Sequence, residues 1–417
     1  MNDFQLDFQE TSIETWRAQI SKELKEDSAK IIYTDAIEEI SIDITQKAEK
    51  DFSSEIANAS SGWKITAFIS VENEKAANKL ALTSLNQGSS EIIFKIETAI
   101  IDWAILFKDI EIQYIHTRIQ FFDNAQLHSF LNSNFATEIQ YFSFEIDPLG
   151  KDFEELEETI KALNSTRILV VNGFELQQIG ATTWQEVGIV LSTAHELLNR
   201  GFSPNQLSFS VGIGNNYFLE IAKLRTLRFL WKQITAAYGN ENTVEILAHV
   251  GWCNKSLKDQ YTNLLRQTTE AMSAAAGGSE SIVIHPYDQL STDKSSDFAY
   301  RMAANISNLL KEESYFDKVQ DPLHGSNIVE NLTSTLIEKT WAYFIELESF
   351  KKLNSVEKIS KITSDIATKA NARIAKFQEK QIKLIGINLF NLENKNSQTW
   401  QSDLNYLDLP YLIYEKH

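Results

Sequence analysis

A single cysteine, Cys253, stands in a chain of 417 residues, so no internal disulfide framework exists and a reducing compartment suits the protein. Proline is scarce at 5 and glycine at 15, which leaves little material for flexible linkers. No uncharged apolar run approaches the ~18 residues of a membrane span. The opening MNDFQLDFQETSIETW has no basic segment followed by an apolar one, so a cytoplasmic protein without membrane attachment is expected. Lys and Arg total 39 against 57 Asp and Glu, and the formal charge of -18 repels nucleic acid. No phosphate-binding loop, Gly-x-Ser-x-Gly, Cys-x-x-Cys or His-Glu-x-x-His occurs.

Against these absences stands a regular alternation of short β-rich runs and longer helical patterns. Residues 1–60 are polar and carboxylate-rich and read as an N-terminal helical arm. A helix is expected over 11–25, where Ile13, Trp16, Ile20 and Leu24 recur at helical spacing and make one sticky face. From there a barrel is expected over 61–395, followed by a tail at 396–417. Candidate strands fall at 91–96, 110–116, 139–146, 167–171, 207–213, 246–250, 282–285 and 383–388. Eight is the number a closed α/β barrel of the (β/α)8 TIM type requires, although counting alone leaves an open doubly wound sheet as the alternative. In a barrel the chemistry sits where strands end, which directs attention to the segments after Val171, Ile213, Val250 and His285.

The segment GIGNNYFLEIAKLRTLRFLW (212–231) lets the backbone turn off a strand at its glycines and enter a helix. Phe218, Ile221, Leu224 and Leu227 share one face, expected to be buried, while Glu220, Arg228 and Lys232 share another, read as surface ion pairs. No third glycine follows at the spacing of a dinucleotide fingerprint. Glu154, Glu155, Glu157 and Glu158 read as a solvated helix. The seven histidines are scattered singly and read as surface or core residues, so no metal site is expected.

Residues 301–326, RMAANISNLLKEESYFDKVQDPLHGS, resemble a signature stretch of the methylmalonyl-CoA mutase family. Arg301, Ala303, Asn305, Glu312, Glu313, Lys318, Asp321, Pro322, Gly325 and Ser326 match it, and Met302, Ala304, Ile306 and His324 depart. The resemblance extends to 212–231 and to further segments, covering 85–388. At 259–288, with Asp259, Asn263, Arg266 and the Gly277-Gly278 pair, the chain is most similar to the small, non-catalytic subunit of bacterial heterodimeric mutases.

The resemblance implies a substrate site in the loop after the fourth strand, where catalytic members carry Ser-Gly-Tyr-His. Here Asn172, Gly173, Phe174 and Glu175 occupy those positions, and Gln177 is retained. In the family the histidine donates a hydrogen bond to the substrate thioester carbonyl. An ionised Glu175 only accepts, and Phe174 has no hydroxyl. Losing one preorganised donor removes roughly 3 kcal/mol of stabilisation, so these residues are read as degenerate counterparts and no catalytic residue is expected. The family's cobalamin motif, Asp-x-His-x-x-Gly, is absent, and the entrance stretch Arg-Pro-Trp-Thr-Ile-Arg-Gln is reduced around 60–79 to Trp63 and an apolar strand, which makes acyl-CoA binding doubtful. The implied protein is a small subunit that binds no cofactor itself and pairs with a large catalytic subunit holding adenosylcobalamin. The alternatives are an active acyl-CoA mutase barrel working with a separate cobalamin-binding chain, or a barrel repurposed for other chemistry.

Overall fold

The computed structural model describes residues 11–25, 32–43, 48, 52, 62–121, 123–146, 157–163, 167–240, 244–291, 295–350 and 355–390. Two short strands, β1 (Ile32–Asp35) and β2 (Ile40–Asp43), make an antiparallel hairpin. Eight further strands follow: β3 (Lys64–Val71), β4 (Glu91–Ile96), β5 (His116–Gln120), β6 (Phe142–Ile146), β7 (Leu169–Asn172), β8 (Leu207–Ile213), β9 (Ile246–Val250) and β10 (Ser281–Ile284). They are parallel, pair in chain order, and close into a barrel where Ser281, Ile282 and Val283 of β10 meet Lys64, Ile65 and Thr66 of β3.

The helices are α1 (Ile13–Leu24), α2 (Glu74–Asn86), α3 (Trp103–Leu106), α4 (Asn124–Leu131), α5 (Glu157–Ala162), α6 (Phe174–Gln178), α7 (Thr183–Asn199), α8 (Tyr217–Ala237), α9 (Gln260–Ala276), α10 (Asp297–Glu312), α11 (Asn327–Glu348) and α12 (Val356–Gln378). Helices α2 to α10 coat the barrel, and α11 lies across α7 and α8.

The strand alternation builds two separate cores. Ile92, Phe94, Phe144, Leu169, Val171, Phe209, Val211, Ile246 and Ala248 face outward and join the helices in one large buried cluster that includes Trp231. Ile93, Leu247 and Val283 face inward and meet Phe68 in a small cluster of their own inside the barrel.

The expected strands at 91–96, 207–213 and 246–250 are found on the same residues. Two expectations are corrected. Residues 110–116 overlap a strand only at His116, because Ile112–Tyr114 form a 3₁₀ turn and the strand runs on through Thr117, Arg118, Ile119 and Gln120. Its inward residues meet a polar interior, so it carries no apolar run. Residues 383–388 are not the eighth strand: Gly386 takes φ +78°, which turns the chain, and only an isolated bridge joins Ile385 to Leu389. The remaining strand is Lys64–Val71, the apolar strand read around 60–79 but not counted among the eight.

The expected arm divides. The hairpin belongs to the barrel coat, since Ile40 and Ile42 are buried against Leu219, Ala222, Leu332 and Leu336. Glu38, in the turn between β1 and β2, accepts hydrogen bonds from the Thr183 amide and hydroxyl (Oε2 at 3.0 and 2.6 Å) and so sits on the N-terminus of α7. Helix α1, capped by Ser12, buries no residue; Ile13, Trp16 and Leu24 are 39%, 44% and 58% exposed. Arg17 ties it to Asp43 of the hairpin. Residues 1–10, most of 44–61 and the expected tail at 396–417 lie outside the described residues.

Candidate functional site

The interior of the barrel is polar at its base. Arg118 of β5 is fully buried; its Nε donates to Glu91 Oε1 (3.1 Å) and its Nη2 to Glu245 Oε1 (2.7 Å). Lys64 Nζ lies 3.4 Å from Glu245, Arg167 also pairs with Glu245, and the Thr66 hydroxyl donates to Glu91 Oε2 (2.7 Å). Burial works against the Glu245 carboxylate, but Arg118, Lys64 and Arg167 outweigh it and hold its pKa down to about 2.

Glu145 of β6 lies higher on the wall. Asn172 Nδ2 donates to its Oε2 (3.2 Å). Burial pushes its pKa up to about 7 against the pull of Arg118, and the nearby Glu175 and Glu91 add to the rise. The folded chain therefore keeps this proton up to about pH 7, while the unfolded chain releases it near the ordinary glutamate value. Between those two values folded-state stability falls as pH rises. Glu145→Gln is expected to raise stability above pH 7 by about 1–3 kcal/mol and to change it little near pH 5. Urea unfolding at pH 5 and pH 8 measures this; the same change at both values would contradict the assignment.

Phe174, the first residue of α6, closes the mouth. Its ring stacks on His249 of β9 (centroids 4.4 Å apart, planes 17°) and on His285, just past β10 (5.6 Å, 15°), and meets Trp252 edge-on at 5.0 Å. Phe68 of β3 approaches His285 at 4.9 Å, and His249 Nδ1 lies 3.3 Å from His285 Nε2. Burial drives His285 down to about 3 and His249 well below its ordinary value, so both rings are neutral at physiological pH. Five ring-bearing side chains from β3, α6, β9 and the segments after β9 and β10 thus fill the axis where a barrel enzyme would admit substrate.

The loop singled out by sequence sits at this mouth. Asn172 ends β7 and is buried. Gly173 N donates to Ser210 O (2.7 Å), and a Cβ there would lie 2.8 Å from Val190 Cγ1. Glu175 Oε1 accepts from Gln120 Nε2 (3.3 Å). Gln177 is buried under β8, where a Cβ on Gly212 would come within 2.2 Å of its Oε1, so only glycine fits opposite it.

The signature residues lie elsewhere and do not converge. Arg301, Asn305, Glu312 and Glu313 are exposed along α10 and its end, with Arg301 over the Phe298 ring at 5.5 Å. Asp321, Pro322, Gly325 and Ser326 form the turn into α11. There Asp321 lies 3.5 Å from Arg225, and Glu330 accepts from both Arg225 Nη2 (2.7 Å) and the Gly325 amide (3.2 Å). This half of the signature locks α11 onto α8.

Helix α8 corrects the reading of its polar face. Arg228 is buried and bonds Glu280 and Val244 O, and Glu220 is buried beside Lys223 at 2.6 Å. Phe218, by contrast, is 44% exposed, while Ile221, Leu224 and Leu227 are buried as expected. Lys223 Nζ also bonds Glu186 Oε2 (2.8 Å), whose other oxygen accepts from the Gly212 amide (2.7 Å). The interior network of Arg118, Glu91, Glu245 and Glu145 was missed. Its signal was one or more charged residues in each of the β-like runs EIIFKI, HTRIQ, FSFEI and EILAHV. Cys253 is free and packs beside Ala370, Phe377, Leu384 and Ile387. Among the described residues no group of three or more His, Cys, Asp or Glu side chains is placed to hold a metal ion, and no helix is long and apolar enough to cross a membrane.

Comparison with known proteins bears on the same region. The family model described as methylmalonyl-CoA mutase matches residues 148–408. The chain is 34% identical over 325 residues to the methylmalonyl-CoA mutase small subunit of Porphyromonas gingivalis, covering 69% of this chain and 52% of that protein. It is 31% identical over 255 residues to the methylmalonyl-CoA mutase of Rhizobium meliloti, covering 58% and 35%. The methylmalonyl-CoA mutase large subunit of Porphyromonas gingivalis matches at 28% over 270 residues, covering 61% and 36%. The chain spans about half the length of the first of these relatives (52%) and less of the other two (35% and 36%).

Proposed function

The chain belongs to the methylmalonyl-CoA mutase family, and on that premise we propose that it is the small, non-catalytic subunit of a two-subunit mutase. The catalytic partner would be a large subunit that holds adenosylcobalamin and interconverts methylmalonyl-CoA and succinyl-CoA in the cytoplasm. The occurrence of separate small and large subunits in one organism among the relatives supports a two-chain assembly.

The observation that carries this reading is the Phe174 stack. Where a catalytic barrel would present hydrogen-bond donors to an acyl group, this chain presents a phenyl ring held between His249, His285 and Trp252. Beside it stands Glu175, already accepting from Gln120. A carboxylate there repels a carbonyl oxygen instead of polarising it. The role left to the chain is to bind the folded partner and stabilise it by mass action. The open apolar stripe of α1, centred on Trp16, is the surface assigned to that contact.

Co-expression of the chain with a large mutase subunit tests both parts. The expected result is a co-purifying complex whose mutase activity is unchanged by Glu175→Gln, because Glu175 does no chemistry. Trp16→Glu is expected to weaken co-purification about tenfold or more, as introducing a charge into a buried apolar contact does. Activity that disappears with Glu175→Gln while the complex persists would overturn the non-catalytic role, and undiminished affinity in Trp16→Glu would remove α1 from the interface.

A further inference from the structure

The axis of the barrel is filled, but a cleft of about 580 Å³ opens beside it. Its floor is made by the segments that follow β7, β8 and β9, one wall by the turn between β1 and β2, and the other by the end of α12 and residues 381–384. That places it at the C-terminal ends of three adjacent strands, the face on which barrel proteins build their sites, displaced outward from the blocked mouth. The volume falls within the ~300–1,000 Å³ typical of small-molecule pockets.

The polar groups around this cleft divide into two sets. The acidic ones are committed to the fold. Glu38 accepts from the Thr183 amide and hydroxyl, and Asp35 Oδ1 from the amides of Ile37 and Glu38 (both 3.0 Å). Glu186 and Glu220 accept from the amides of Gly212 and Gly214 and share Lys223 between them. The donors are open. Gln177 is only 7% exposed, its Oε1 accepts from Gln178 Nε2 (2.6 Å), and its own Nε2 has no partner among the described residues. Arg373 spends one N–H on Gly180 O (3.3 Å). The Tyr217 hydroxyl bonds nothing among the described residues, and burial alone raises its pKa. Helix α8, 21 residues long, starts at this cleft with no side chain capping it, and the side-chain Nδ2 of its N-cap residue Asn216 donates to the Tyr33 hydroxyl. Its first N–H groups thus have no side-chain cap, and Glu220 in the first turn spends its carboxylate on the Gly214 amide and Lys223.

We propose that this cleft binds a small metabolite carrying a carboxylate or phosphate group, held by Arg373, Tyr217, the Gln177 amide and the N-terminus of α8. The inference does not depend on the subunit role proposed above, since it uses none of the residues assigned to the partner contact. Lys376, whose Nζ bonds Gln381 Oε1 (2.8 Å), lies on the rim and adds positive charge to the entrance.

Calorimetric titration of the full chain with sodium phosphate and with sodium citrate, at constant ionic strength and with sodium chloride as the control, tests the site. One saturable site per chain is expected for at least one of the two probes, its carboxylate or phosphate character read from which one binds. Arg373→Gln is expected to weaken binding about tenfold or more, in line with losing a charge-assisted hydrogen bond. Tyr217→Phe removes one oxygen and leaves the ring in place, so it is expected to weaken binding severalfold without lowering the unfolding midpoint. Should Arg373→Gln itself destabilise the chain through its bond to Gly180, Tyr217→Phe decides. Failure of both probes to saturate beyond chloride overturns the proposal, as does saturation that both variants leave unchanged.

Discussion

Arg118→Met should remove about 3–5 kcal/mol of folding stability, the range expected when one member of a buried charge network is deleted and its partners stay behind. Methionine nearly matches the volume but removes the buried cation between Glu91 and Glu245, leaving them only Lys64 and, for Glu245, Arg167, both partly exposed. Domains of ordinary stability have about 5–15 kcal/mol in total, so a loss of this size brings the chain close to unfolding at room temperature. The penalty is expected to shrink toward pH 5, because without Arg118 the two glutamates can relieve their repulsion by taking up a proton. Urea unfolding followed by tryptophan fluorescence at pH 5 and pH 8 reads both effects. A change below 1 kcal/mol at pH 8 would mean that the network contributes nothing. Adding Glu91→Gln to Arg118→Met should recover part of the loss, and the departure from additivity measures the coupling directly.

Phe174→Ala should cost about 3–5 kcal/mol, the usual price of deleting a buried aromatic ring. The ring is buried between His249, His285 and Trp252, and alanine would leave a void bounded by imidazoles. Water entering that void would hydrate both histidines, so their pKa values are expected to climb back toward the ordinary range as the mouth becomes wet. Thermal unfolding gives the first effect, and titration of the histidine ring protons by NMR gives the second. Loss of stability with unmoved histidine titrations would show that the surrounding side chains had collapsed into the space. Opening the mouth in this way is not expected to create mutase activity in this chain, because Phe68 and Trp252 still occupy the axis and Glu175 is engaged by Gln120.

How much of this could be read from sequence differed from element to element. Strands β8 and β9 were legible because both of their faces are buried, so SFSVGI and ILAHV carry apolar or small residues throughout. Strand β5 was not, because its inward residue is Arg118 and the adjoining turn at Ile112–Tyr114 carries the apolar signal instead. The apolar run 383–388 imitated a strand, although Gly386 bends it back against the residues around Cys253. The loop at Asn172–Glu175 lies at the mouth of the barrel, after its fifth strand and not its fourth, because Lys64–Val71 precedes the strands that were counted. Its partners were invisible, because Phe68, His249 and His285 reach it from strands far apart in the chain and only closure of the sheet brings them together. The polar face of α8 was misplaced for a related reason. Periodicity places Glu220, Arg228 and Lys232 on one side, but cannot show that packing around the helix buries Glu220 and Arg228.

Closure of the barrel rests on β10 meeting β3, a contact between residues near 282 and residues near 65. During synthesis the sheet therefore grows for most of the chain's length with both of its outer strands unpaired. Strand β3 waits with Lys64–Val71 open until β10 has left the ribosome, and Trp63 waits longer for the Ser307 hydroxyl that its indole donates to (2.8 Å). Contacts so distant in sequence form slowly, and open strand edges invite pairing with other chains. The newly made protein is thus open to pairing with other chains along β3 until its last barrel strand emerges.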